Sequence, residues 1–160
     1  MNEHRPPFRL QVKTITIEYD ATVSLDGRRL DTPNVAAEFI HAWNRNNGNP
    51  PDVESFSVFG LDSRHHLTSA ETLTRGVKNA APVDAQRLFR HLIAVDACGF
   101  ILSHNHPSGD LEPSRDDLDL IRRLSQGARL LGMACQDHII TTPDNRSMSL
   151  RATRPELFTP

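Results

Sequence analysis

Apolar and polar side chains alternate over residues 12–19, with Ile15, Ile17 and Tyr19 on one side. That is the period of a half-buried strand. A polar stretch with an Asp26-Gly27 turn signal follows, and then the period lengthens. Behind Thr32-Pro33, Val35, Phe39 and Trp43 recur every four residues, joined by Ala36 and Ile40. Thr as cap and Pro in the first turn open a helix there, and its stripe reads as core packing. Residues 44–52, rich in Asn, Gly and Pro, break the pattern. Strands are predicted over residues 54–61 and 67–75, about a turn at 62–66. Residues 79–82 lead into a helix carrying Leu88, Phe89, Leu92 and Ile93. Residues 99–102 are wholly apolar, as in a central strand buried on both faces. A tight loop over 107–113 precedes a long helix over 114–131, with Leu118, Ile121, Leu124, Ala128 and Leu131 as its stripe. Strands over 133–141 and 147–150, about an Asp144-Asn145 turn, end the pattern. Alternating strands and helices predict a mixed α/β fold, a sheet covered by helices.

The 160 residues suffice for one core and are too few for two ordinary domains. No apolar run approaches the roughly 20 residues of a membrane span. Residues 1–7 are polar and proline-rich, without the apolar segment of a signal peptide, so a cytoplasmic location is expected. A formal net charge of −2 argues against a broadly basic surface built for phosphate backbones. The two cysteines, Cys98 and Cys135, form no Cys-x-x-Cys pair, so neither a zinc ribbon nor a thioredoxin-type site is indicated. Both are expected to be buried free thiols.

The chemistry concentrates in residues 103–117, Ser-His-Asn-His-Pro-Ser-Gly-Asp-Leu-Glu-Pro-Ser-Arg-Asp-Asp. His104 and His106 close a strand two residues apart, so both imidazoles project the same way. Pro107 and Gly109 turn the chain, and Ser114 caps the next helix with Asp117 in its first turn. That folds the Asp117 carboxylate back toward the two imidazoles. Two histidines and one carboxylate leave a fourth tetrahedral position for water, the pattern of a catalytic zinc site with one Zn2+ per chain. Asp110 and Asp116 are the other aspartates of the stretch, and the motif spacing argues against both as ligands. His65 and His66 read as a solvated turn.

The joined spelling, His-x-His-Pro, six residues, then Ser-x-x-Asp, resembles that of the JAMM (JAB1/MPN+) metalloproteases. Its form His-Asn-His-Pro-Ser-Gly-Asp is similar to the RadC branch. RadC-like phrases flank it: Leu61-Asp62-Ser63-Arg64, Arg75-Gly76 followed by Asn79-Ala80-Ala81-Pro82-Val83, and Asp137-His138-Ile139-Ile140. The resemblance implies a cytidine-deaminase-like central mixed sheet with helices on both sides. It divides the chain into an extension over 1–50 packed on the domain, a JAMM-like domain over 51–152, and a tail over 153–160. It implies that Glu54, at the head of a strand some fifty residues before the His pair, is the general base, with Glu71 as substitute. It implies that Ser114 stabilises the oxyanion. For Asp137-His138 a supporting or core hydrogen-bonding role is expected. Two departures stand out: residues 1–50 carry no helix-hairpin-helix signature, and Arg146 stands where relatives often have an aromatic.

Three functions follow. The first is a zinc-dependent hydrolase of peptide or isopeptide bonds, with a peptide or protein substrate. The second is a nucleic-acid protein, a nuclease or DNA-repair accessory, resting on the RadC label. The third is a non-catalytic scaffold, against which all three ligands count. A zinc deaminase is excluded for want of Pro-Cys-x-x-Cys. Basic side chains beside the metal would mark the nuclease. Arg115, Arg122, Arg123 and Arg129 are interleaved with Asp116, Asp117 and Asp119, as on a solvated helix face.

Overall fold

The Thr32 hydroxyl accepts the Val35 amide, and helix α1 (Pro33–Asn46) runs from that cap with Pro33 in its first turn. In the computed structural model, which describes residues 27–47, 49–76 and 83–159, five strands and three further helices follow. The strand expected over residues 12–19 lies outside the described residues. The elements are β1 (Ser55–Leu61), β2 (Leu67–Arg75), α2 (Ala85–Ala94), β3 (Gly99–Asn105), α3 (Arg115–Leu130), β4 (Ala134–Thr141), β5 (Ser147–Ser149) and α4 (Leu150–Thr153), then a 3-10 turn at Pro155–Leu157.

The strands form one mixed sheet in the order β2-β1-β3-β4-β5. Only the β3–β4 pair is parallel, because α3 carries the chain back between them. Strand β3 is central and buried along its whole length, as its apolar run predicts. Its side chains alternate between two cores. Phe100 and Leu102 join Phe56, Val58, Ile140 and the apolar faces of α2 and α3. Ile101 joins Phe59, Ile139 and the α1 stripe of Phe39, Ile40 and Trp43. Helices therefore cover both faces. Gly127 of α3 lets the helices meet closely, since a Cβ there would stand 3.0 Å from the Phe89 ring of α2.

Four local expectations are corrected. Leu131 is the C-cap of α3, and the chain turns at Gly132, so Leu131 is 48% exposed instead of closing the stripe. Ile93, in the last turn of α2, faces solvent. Cys98 is exposed: its backbone pairs with Leu61 and Ala134 at the entrance of β3, which turns the thiol outward. Strand β5 stops at Ser149, whose hydroxyl accepts the Ala152 amide, so Leu150 starts a short helix. Beyond it, Leu157 and Phe158 are buried in the α2–α3 core. Among the described residues no helix is long and apolar enough to cross a membrane.

Candidate functional site

His104 continues the Phe100–Leu102 row of β3 and faces the α3 side of the sheet, 2% exposed. It pairs with Phe56 on β1, whose ring stacks parallel to it at 6.1 Å. His106 lies one residue past the strand, where its amide donates to the Thr141 carbonyl of β4. The loop then curls back. Its turn uses Gly109 at φ +81°, a left-handed conformation that glycine adopts freely. The Asp110 carbonyl accepts the His106 Nδ1 proton at 2.7 Å. Arg146, in the β4–β5 turn, donates to the Gly109 carbonyl and pairs with Asp144, tying down the same loop.

Helix α3 presents the third group. Its first turn is a reciprocal capping box: Ser114 Oγ accepts the Asp117 amide, while Asp117 Oδ2 accepts the Ser114 amide (2.8 Å) and hydroxyl (2.6 Å). The cap fixes the carboxylate with Oδ1 3.6 Å from His104 Nε2 and Oδ2 3.8 Å from His106 Nε2. The two Nε2 atoms are 2.7 Å apart. One donor atom from each of His104, His106 and Asp117 thus lies within 4.8 Å of the others.

Glu54 sits immediately before β1, half-buried. With His106 and Ser114 it lines a groove of about 680 Å³. Burial raises its pKa from the ordinary value; Asp117 adds to this and His106 opposes it. Burial likewise lowers the His104 imidazole to about 4, with Asp117 opposing and His106 assisting. Glu71, the substitute base, is held elsewhere by Arg87 and His91. The Asp110 carboxylate accepts the Glu112 amide, Asp116 is exposed, and His66 pairs with Asp62 in the β1–β2 turn.

Asn105 does more than sequence patterning assigns it, and His138 makes a buried hydrogen bond of the kind expected for the Asp137-His138 pair. Asn105 points to the opposite side of β3 from His104. Its Oδ1 accepts both the amide and the hydroxyl of Ser55, and its Nδ2 donates to the Val53 carbonyl. It therefore grips the chain on either side of Glu54. His138 on β4 is fully buried, with Nε2 2.6 Å from His104 Nδ1. Its neighbour Asp137 faces the other way and accepts from Ser149 and the Arg151 amide. The signal for Asn105 is its place between two histidines on an alternating strand. The partners of both residues lie far away in sequence.

Residues 30–155 match the model of a family described as the RadC-like JAB domain. A UPF0758 protein of Desulfitobacterium hafniense is 39% identical over 100 residues, which cover 62% of this chain and 44% of the relative. A UPF0758 protein of Finegoldia magna is 34% identical over 128 residues, 80% of this chain and 55% of the relative. One from Acidithiobacillus ferrooxidans is 35% identical over 125 residues, 78% and 54% respectively. The chain spans about half the length of these curated relatives.

Proposed function

Because the chain belongs to the RadC-like JAB domain family, we propose that it is a zinc-dependent hydrolase of peptide or isopeptide bonds. The observation that carries this reading is the convergence of His104, His106 and Asp117 beside a groove lined by Glu54. The donor set suits zinc, with two imidazole nitrogens and one carboxylate. The His106 tautomer fits as well: its Nδ1 proton is committed to the Asp110 carbonyl, which leaves the Nε2 lone pair facing the other donors. When bound, zinc supplies Lewis acidity and brings the pKa of a water toward neutrality.

The chain's own groups do the rest. Glu54, with its raised pKa, takes a proton from the attacking water and returns it to the leaving amine. The Ser114 hydroxyl, whose cap bond to Asp117 shows that it can donate, turns toward the developing oxyanion. The groove favours a peptide over a phosphodiester. Asp52, Glu54, Asp110 and Glu112 line it, and no Arg or Lys is among its described lining residues. A phosphate backbone requires cations there.

The test is cleavage of a synthetic peptide mixture by zinc-loaded protein, read as new N-termini. Glu54→Gln is expected to keep its zinc and to lose about 10²- to 10⁴-fold in rate, the usual contribution of a general base. Cleavage of DNA or RNA but not peptide, or an unchanged rate in Glu54→Gln, would overturn the reading.

A further inference from the structure

The loop between β3 and α3 carries His106 and, through Ser108 and Asp110, forms one wall of the groove. It is bonded to itself along its length. The His106 carbonyl accepts the Gly109 amide at 3.1 Å, and the Ser108 hydroxyl accepts the Asp110 amide at 3.3 Å. The Asp110 carboxylate accepts the Glu112 amide at 3.0 Å, and the Asp110 carbonyl accepts from His106 Nδ1 at 2.7 Å. A loop closed by its own bonds shifts as one piece, so its angle to the sheet depends on what holds it from outside.

Among the described residues, two arginines hold it, both from the chain beyond β4. Arg154, which follows α4, donates to the Glu112 carboxylate at 3.1 Å. That bond ends on an exposed side chain, which rotates independently of the loop backbone. Arg146, in the β4–β5 turn, donates from Nη2 to the Gly109 carbonyl at 2.7 Å and so reaches the loop backbone itself. Its other edge is anchored. Nε donates to Asp144 Oδ2 at 2.6 Å, Asp144 Oδ1 accepts the Thr142 hydroxyl, and the Thr142 amide donates to the Arg146 carbonyl. The planar guanidinium thus joins two acceptors on different elements at a fixed angle. It is 55% exposed, so these bonds contribute to placement more than to stability.

Resting on the hydrolase reading above, we propose that Arg146 is a positioning residue that sets the wall of the substrate groove and, through it, the affinity for peptide. Arg146 is not among the groove's lining residues. It acts through the Gly109 carbonyl, which lies between the wall residues Ser108 and Asp110. Without the guanidinium that carbonyl loses its partner, and the segment from Ser108 to Glu112 is free to swing. The reacting groups keep their own supports. The Thr141 carbonyl holds the His106 amide, Asn105 holds the chain on either side of Glu54, and the helix cap holds Ser114 and Asp117. Loss of Arg146 therefore weakens peptide binding and spares the chemical step.

Arg146→Met keeps the length of the side chain and removes its donors. Amide hydrogen exchange of the metal-free full chain is the first readout. Residues 108–112 are expected to exchange about 10-fold faster than in wild type, the effect of losing one charge-assisted bond, while β3 is unchanged and shows the variant folded. Peptide cleavage by zinc-loaded protein is the second. KM is expected to rise roughly 10-fold with kcat within about 2-fold of wild type. Arg146→Lys, which still offers one donor to the Gly109 carbonyl, recovers part of the affinity. Asp144→Asn raises KM by a smaller factor, and adding it to Arg146→Met changes nothing further, because the two residues act as one support. Wild-type loop exchange or wild-type KM in Arg146→Met would overturn the inference, as would a loss confined to kcat. Each of these leaves the hydrolase reading standing, since wild-type protein still cleaves peptide. Failure of wild-type protein to cleave any peptide overturns both.

Discussion

His104 and His138 are the residues whose protonation the fold resists most strongly, since each ring is sealed between strands β1, β3 and β4. Folding lowers the His104 pKa from the ordinary 6.5 to about 4, chiefly by burial. Between those values the unfolded chain binds a proton that the folded chain does not. Metal-free protein should therefore hold constant stability above pH 6.5 and lose it as pH falls toward 4. The loss from His104 alone is on the order of 3 kcal/mol. Urea unfolding at a series of pH values measures it, and a flat profile over that window would contradict the buried, neutral pair. Glu54 shows the opposite bias. Burial and Asp117 favour its protonated form, which suits a base that must later return its proton. At this scale the sequence marks the groups of the candidate site, because their types and spacing are explicit in residues 103–117. It suggests a supporting role for His138 but does not mark its partner. His138 meets His104 from another strand, 34 positions on, and no local pattern encodes that contact.

Strand β3 shows how one element places several groups. Its pleat sends His104 toward α3 and Asn105 toward the α1 side, where Asn105 bonds Ser55 and Val53. The same three-residue phrase therefore supplies two imidazoles of the candidate metal site and the clamp on the segment carrying Glu54. Asn105→Ala removes all three bonds and leaves the buried Ser55 amide unpaired. We expect a loss of about 1–3 kcal/mol in urea unfolding, with zinc content kept and peptide cleavage reduced through a displaced Glu54. Wild-type stability and rate in that variant would contradict the clamp. Element boundaries are where patterning falls short, for local reasons. Ser149 caps a helix after three strand residues, which the apolar Leu150 disguises as continuing strand. Leu131 keeps the spacing of the α3 stripe, but the turn into Gly132 carries it outward. Hydrophobic spacing reports which residues suit a core, and a cap or turn decides whether the chain still points there.

Across the whole molecule, two cores on opposite faces of one sheet fix the site from behind. The α1 core is built from Phe39, Ile40, Trp43 and Phe59, the α2–α3 core from Leu88, Leu92, Phe100 and Ile121. Both periodicities, four in α1 and wholly apolar in β3, are plain in the sequence, so the mixed α/β fold was legible. The order of strands was not: β1 lies between β2 and β3 with both neighbours antiparallel, a consequence of long-range pairing. This architecture brings β3, the following loop and the N-terminus of α3 together, so that His104, His106 and Asp117 meet without any change of fold. The most direct test of their role is the zinc content of purified protein by elemental analysis, beside His106→Ala and Asp117→Ala. The account predicts about one zinc per chain in the wild type and its loss in both variants. A wild-type protein that holds no zinc, even when supplied with it at neutral pH, would contradict the account.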